Sequence, residues 1–514
     1  MRQALERFPP KWRPVRRWKE RQFKILERAT DSIQMNRALA LAVSTLALFG
    51  CVSAPTTVPS QTALSPASVG LEGAAMADIS DQWWTGFGDA QLDGLVAQAL
   101  AGNPTLQVAL ARMRGAEAGL SAVRAGTYPQ MSADGQEVRQ RLSDAYTIPP
   151  PYGGGTFWLG TVQANLSWSL DFFGKQAAQV ERARGTRDAA ALDATAARLA
   201  LSGSVTSAYV ALARAYVLSD VARDAVKQRA QMVKLTTSRV NSGLENKAAE
   251  KQAEALLAIE QQGLIDADSA IELGKHQLAL LAGRGADLYV TIRRPALKGD
   301  ALVLPAHLPA DLLARRADIQ AARARIDAAM AGREVARKAF YPDINLTAFA
   351  GWAAVGLSQM FGASALTYGA GPAIHLPIFD AGKLRADYAG ATADLDAAVG
   401  DYNNAVLTAV KDAADALTKV QAIEKRAVEQ HNALAASEES FRLAQSRYRS
   451  GLERQQTVLD AENVLLTARR ALATIDADRS AERVTLLMAL GGGFRPAPDI
   501  SADLNTSIRT TPHE

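Results

Sequence analysis

The sequence predicts a mainly α-helical chain with a membrane β-barrel part: a tandem duplication giving long α-hairpins and four β-strands per chain, with three copies closing a 12-stranded barrel. Three observations carry that prediction. Lys175 to Val240 runs without a proline, several shorter segments alternate apolar and polar residues with a period of two, and one half of the chain recurs in the other.

Composition sets the frame. Of 514 residues, 48% are hydrophobic, so a large core can be buried, while aromatics at only 6% and abundant alanine favour long helices. The formal charge of +4 is unevenly placed: residues 1–37 hold 11 Lys/Arg against 4 Asp/Glu, which leaves 46 basic and 49 acidic residues over 38–514. The body of the chain is slightly acidic, and no nucleic-acid partner is expected. A single cysteine, Cys51, excludes a disulfide framework, and five scattered histidines offer neither zinc-ligand spacing nor a base for a nucleophile. No metal, no bound cofactor and no enzymatic activity are expected. No apolar run reaches the roughly 18 residues of a membrane-spanning helix.

Residues 1–50 read as an N-terminal extension and lipoprotein signal peptide. Arg37 precedes an apolar run from Ala38 to Phe49, followed by Gly50 and Cys51. The small residue lets a peptidase cut before a thiol that takes a diacylglyceryl thioether, and the freed amino group then takes an N-acyl lipid; Phe49 departs from the small residue usual there. Residues 1–34 are too basic and too rich in tryptophan for an n-region, so translation is expected to begin at Met35. The Pro/Ser/Thr/Ala-rich segment 51–77 reads as a flexible, lipid-anchored tether.

The repeat fixes the domain order. Leu106, Gln107, Ala109, Arg112, Tyr128 and Pro129 return 213 residues later as Ile319, Gln320, Ala322, Arg325, Tyr341 and Pro342. Gly174, Lys175, Arg239, Ser242, Gly243, Leu244 and Glu254 return after 208 as Gly382, Lys383, Arg447, Ser450, Gly451, Leu452 and Glu462. A first repeat at 78–283 and a second at 311–492 follow, joined by a linker at 284–310 and trailed by a disordered tail at 493–514. Each copy reads helix, two extended segments, a very long helix, a tight turn and another helix. At ~1.5 Å per residue the long helix reaches about 100 Å, beyond the width of an ordinary domain. The turn is Arg-x-x-Ser-Gly-Leu in both copies, with glycine suited to the left-handed position after a helix and leucine packing back on the last turn.

The extended segments are two-faced. Trp158, Gly160, Val162, Ala164, Leu166, Trp168 and Leu170 alternate with Thr161, Gln163, Asn165, Ser167 and Ser169. Ile344, Leu346, Ala348, Ala350 and Trp352, and then Tyr368, Ala370, Ile374 and Leu376, repeat the pattern, whereas the strand expected after Pro129 is poorly patterned. A soluble sandwich would use such segments too. Lengths near the roughly 9–11 residues of a tilted membrane strand, and tryptophans near the ends, favour lipid. Four strands cannot close, and an open edge in hydrocarbon leaves backbone groups without partners, so the chain must associate; a trimer gives a pore wide enough for water.

In order along the chain stand Trp83-Trp84-x-x-Phe87-x-Asp89 with Leu92 and Leu95, Asn103-Pro104-x-Leu106, Tyr128-Pro129 and Tyr341-Pro342. Leu376-Pro377-Ile378-Phe379-Asp380-x-Gly382 follows, and Val458-Leu459-Asp460-Ala461-Glu462 comes after the second turn. Together, over about Ile79 to Gly492, they resemble the TolC-like outer-membrane efflux factors, in particular the lipoprotein branch that serves resistance-nodulation-division type tripartite pumps. The resemblance implies a homotrimer with its barrel in outer-membrane lipid and a helical tunnel extending into the periplasm. There it would meet a periplasmic adaptor (membrane fusion protein) and an inner-membrane transporter and carry drugs or other small toxic compounds to the exterior.

It also implies a periplasmic gate. Carried over residue by residue, the gate positions are Tyr448, Glu453, Thr457 and Asp460; Tyr448 and Asp460 match the family's tyrosine and second aspartate, while Glu453 and Thr457 replace its arginine and first aspartate. Three Asp460 carboxylates in a narrow pore would favour cations and repel one another. A solvated helix face is the other reading of Asp460. Ser242, Gly243, Leu244, Ser450, Gly451 and Leu452 are candidate adaptor contacts, since a leucine at a hairpin apex is a knob, although a plain helix cap would use the same triplets.

Two rival readings share part of this pattern. The outer-membrane duct of a type I protein secretion system would look alike, and a periplasmic coiled-coil structural protein would explain the long helices but not the alternating strands. Gly153-Gly154-Gly155 follows Pro149-Pro150-Pro151 between extended segments, with no helix N-terminus to meet a phosphate, so it reads as an extracellular loop.

Overall fold

The computed structural model describes residues 57–71, 79–143, 145, 153–298 and 311–495. The signal region, Cys51, the Pro149-Pro150-Pro151 run and residues 496–514 of the tail lie outside the described residues. Along the chain come α1 (Ala90–Gly102), α2 (Pro104–Ala125), β1 (Gln130–Arg141), β2 (Thr156–Leu170), α3 (Lys175–Asn241), α4 (Lys247–Leu281) and the short α5 (Ala286–Tyr289). The second half gives α6 (Ala317–Lys338), β3 (Asp343–Val355), β4 (Leu366–His375), α7 (Lys383–Arg449) and α8 (Gln455–Ala489). The duplication is visible in the lengths: α3 and α7 have 67 residues each, α4 and α8 have 35 each.

The chain forms two compact units, each drawing on both copies. The first comprises Thr57, residues 127–177 and residues 333–391; the second comprises 58–126, 178–332 and the chain from 392 onward.

The first unit is an antiparallel sheet in the order β1-β2-β3-β4. Its register keeps the faces apart. Trp168, Leu346 and Pro372 stand in one row, Leu166, Ala348 and Ala370 in the next of the same face, then Ala164, Ala350 and Tyr368, then Val162, Trp352 and Leu366. The alternate rows hold Ser167, Thr347 and Gly371, then Asn165, Phe349 and Gly369, then Gln163, Gly351 and Thr367. β1 adds Met131, Ala133 and Gly135 to the apolar face, and then Glu137 and Arg139 opposite Gly160 and Trp158. Those two charges are why its period of two fades in the sequence. The Arg139 guanidinium lies 5.8 Å from the centre of the Trp158 ring, and the β3–β4 connection sets Phe361 against Trp352 at 5.9 Å.

The second unit is helical. Asn103 ends α1 and starts α2: its side-chain oxygen accepts from the Thr105 and Leu106 N–H groups at 2.8 and 3.3 Å, and Pro104 takes a position that needs no N–H. Two main cores form in it, each drawing on both copies. Trp83, Trp84, Phe87, Leu92 and Leu95 pack with Val205 and Tyr209 of α3, Leu278 of α4 and Leu487 of α8. Leu312, Leu313 and Ile319 pack with Leu395, Val399, Tyr402 and Val406 of α7 and Leu486 of α8.

Parts of the tether, expected to be flexible, and of the linker are docked on the helices. Within the 51–77 tether, the Ser60 and Gln61 N–H groups donate to Asp396 at 2.9 and 3.0 Å, Leu64 N–H donates to Asn403 at 2.8 Å, and Leu71 is buried in the second core. Polar side chains of α7 thus satisfy the extended backbone, which a Ser/Thr-rich composition does not reveal. In the linker, Arg293 N–H donates to Gln91 at 2.8 Å and Lys298 N–H to the Phe87 carbonyl at 2.9 Å. Residues 299–310 of the linker lie outside the described residues.

Candidate functional site

The helical hairpins end in two turns of the same geometry. At the first, Gly243 has φ +75°, its N–H donates to the Val240 carbonyl at 3.0 Å and Leu244 N–H donates to the Arg239 carbonyl at 2.9 Å. At the second, Gly451 has φ +73°, with Gly451 N–H on the Tyr448 carbonyl at 3.0 Å and Leu452 N–H on the Arg447 carbonyl at 2.9 Å. Only glycine takes that backbone cheaply, and at each turn the two hydrogen bonds satisfy carbonyls in the last turn of α3 or α7. The Ser242 and Ser450 N–H groups continue each helix onto the Ser238 and Ser446 carbonyls. Leu244 and Leu452 are left 64% and 72% exposed at the apices.

The four candidate gate residues do not share one environment. Tyr448 is fully buried, with the Arg239 guanidinium 4.4 Å from its ring centre; Arg239 donates to the Tyr448 carbonyl at 3.1 Å, and the Tyr448 hydroxyl donates to Glu245 at 3.4 Å. Burial, followed by the Glu245 charge, pushes its hydroxyl above the ordinary tyrosine range. Tyr448 therefore fastens one hairpin to the other, in a small core with Met232, Val458 and Leu459. Glu453 and Thr457 are brought together: the Thr457 hydroxyl donates to Glu453 at 3.0 Å, and the Arg454 N–H does so at 3.2 Å. The backbone bond first and the hydroxyl second hold the Glu453 carboxyl below its ordinary value. Asp460 lies one turn beyond Thr457 on α8, exposed, accepting from Gln456 at 2.8 Å.

Sequence reasoning passed over several neighbours. Arg239 was visible only as a member of the repeat and Glu462 only in the repeat and in the run after the second turn, and Gln455 was not singled out. Gln455 donates to Thr236 at 2.9 Å and is buried between the hairpins. Their pairings span more than 200 positions of sequence, so no local spacing announces them. Among the described residues no group of His, Cys, Asp and Glu could hold a metal ion, and no helix is long and apolar enough to cross a membrane.

The family model for "outer membrane efflux protein" matches residues 95–284 and again 308–492, one match per copy. The chain belongs to the outer membrane efflux protein family. Curated relatives include the fusaric acid resistance protein FusA of Burkholderia cepacia, 32% identical over 491 residues, covering 90% of this chain and 89% of the relative. The multidrug resistance outer membrane protein MdtP of Escherichia coli K12 is 30% identical over 426 residues, covering 81% and 87%. Among solved structures, the outer membrane protein VceC of Vibrio cholerae superposes with a TM-score of 0.76 at 33% identity, over 82% of this chain and 100% of that one. As a family member the chain is an outer-membrane efflux channel subunit, mainly helical with a small antiparallel sheet, and its relatives are channel proteins.

Proposed function

We propose that three copies of this chain form one duct through the outer membrane, which receives drugs or other small toxic compounds from a periplasmic adaptor and an inner-membrane transporter. The observation that carries this reading is the sheet: one face apolar save for Glu137, Arg139 and Arg141 toward one end of β1, the other largely polar, and, among the described residues, the outer edges of β1 and β4 without a partner strand. In hydrocarbon such edges are not tolerated, and head-to-tail pairing of β4 with the next copy's β1 removes them all at once. Trp158 and Trp168 stand ten residues apart on the apolar face. At ~3.3 Å per residue and a tilt of about 40°, they are separated by about 25 Å in height, the thickness of the apolar band between two aromatic girdles.

The polar face then lines a water-filled lumen, and the paired hairpins form the periplasmic part, with Leu244 and Leu452 exposed at the apices as knobs for the adaptor. Cys51 carries the diacylglycerol and N-acyl lipid that hold the amino terminus at the membrane, and no further cofactor takes part. The names of FusA and MdtP support a cargo of small toxic compounds. Size measurement in detergent tests the assembly: a trimer is expected, and a stable soluble monomer would overturn both barrel and duct. In a strain lacking its own efflux ducts, the chain expressed with its pump should restore drug tolerance, and Leu244→Asp with Leu452→Asp should abolish that without dissolving the trimer.

A further inference from the structure

The polar face of the sheet carries a charge pattern that a water-filled duct does not require. Among the described strand residues it holds two carboxylates, Asp134 and Asp343, and no Lys or Arg; Glu137, Arg139 and Arg141 all stand on the opposite face. Asp343 is answered by Lys175, whose Nζ lies 3.7 Å from Oδ2. Among the described residues Asp134 is answered only by neutral donors: Asn165 Nδ2 at 2.6 Å and the Ser132 hydroxyl at 3.3 Å, with Asn165 itself oriented by Gln163 at 3.0 Å. Its row across the sheet continues through Gln163, Gly351 and Thr367, all uncharged. The carboxylate is held in place with its charge uncompensated, in the middle of a strand.

We infer that Asp134 is a specificity-determining residue of the duct: one copy per subunit sets a ring of fixed negative charge in the β-lined stretch, favouring inorganic cations and cationic compounds over anions. This rests on the proposed trimer with its polar face inward. A wide pore lets salt screen the ring, since the Debye length is ~30 Å at 0.01 M but ~3 Å at 1 M. The ring therefore acts in dilute salt and falls silent in concentrated salt.

Wild type, Asp134→Asn and Asp134→Lys, each purified as the full chain in detergent, are compared in planar bilayers under a KCl gradient of about 10 to 30 mM, and again near 1 M. Each is measured with and without Asp460→Ala, which removes the candidate gate carboxylate. The expected result is a potassium-over-chloride preference that falls about twofold or more in Asp134→Asn and turns toward chloride in Asp134→Lys, with the three proteins alike at high salt. The two replacements change the charge through different side chains, so failure of one to insert leaves the other decisive. Channels of ordinary conductance with one common ion preference overturn the role of Asp134. Wild-type protein that opens no channel at all overturns the duct reading instead.

Discussion

Arg229 of α3 and Glu462 of α8 form an ion pair sealed inside the helical unit: Nη1 stands 2.6 Å from Oε2, and the side chains are 2% and 0% exposed. Arg229 also donates to Asn463, while its own Nε and Glu462 Oε1 make no hydrogen bond. Burial raises the Glu462 carboxyl above its ordinary value, against the pull of Arg229. Such a pair is a poor source of net stability, because desolvation offsets most of the attraction, but breaking half of it strands a charge.

Glu462→Ala should therefore destabilise the hairpin packing by about 3–5 kcal/mol, whereas Arg229→Met combined with Glu462→Leu should be close to neutral. Denaturant unfolding in detergent, with hydrogen exchange on α3 and α8, measures both. Equal losses in the single and the double variant would show that the pair is held by shape rather than by charge.

Asp89 gives a pH dependence with a definite sign. Burial pushes its carboxyl up, but hydrogen bonds from the Ala296 N–H at 2.7 Å, the Tyr209 hydroxyl at 2.7 Å and the Gln91 N–H at 3.0 Å outweigh it, and the result lies below the ordinary 3.8. A carboxyl lowered on folding contributes stability that is present above 3.8 and lost as pH falls through the folded value. The pinning of 292–298 to the start of α1 should hold at pH 6 and loosen only below about pH 4. Limited proteolysis across that range, wild type against Asp89→Asn, reads it out: the variant should be cut early at every pH, and identical profiles would remove Asp89 from the account.

Lipidation is the third expectation. Metabolic labelling with a palmitate analogue should mark wild type and spare Cys51→Ala, and equal labelling of both would remove the lipid anchor. Docking of Ser60 and Gln61 on Asp396 and of Leu64 on Asn403 holds the chain that follows Cys51 independently of any acyl group. The Cys51→Ala protein should therefore still assemble, at lower yield in the outer membrane.

Periodicity and repetition were legible because they are local or self-similar: the 67- and 35-residue helices, the Gly243 and Gly451 turns and the strand faces from Trp158 onward all announce themselves in spacing. β1 was faint because Glu137 and Arg139 interrupt its apolar face near one end. The docking of the tether and linker is not legible in the sequence because it comes from partners such as Asp396 and Gln91, supplied by distant segments to backbone groups. For the same reason Tyr448 could be carried over as a gate position, while its place beneath Arg239 could not be read.

That place separates two candidates for the gate. Tyr448→Ala removes a fully buried ring from the small core between the hairpins, a loss of about 3–5 kcal/mol in local packing, while Tyr448→Phe keeps the ring, removes the hydroxyl with its long 3.4 Å bond to Glu245 and its interaction with Thr236, and should cost far less. Asp460 is exposed, with Gln456 as its neighbour, so Asp460→Ala leaves packing intact and changes charge alone. If three Asp460 carboxylates ring the closed periplasmic end, their removal should raise single-channel conductance and admit a bulky antibiotic such as vancomycin into an otherwise intact strain, without a change in unfolding. Tyr448→Ala should produce the same leak but together with a lowered unfolding midpoint. A leak from Tyr448→Ala and none from Asp460→Ala, at equal expression, would place the closure in hairpin packing and leave Asp460 as a solvated helix face.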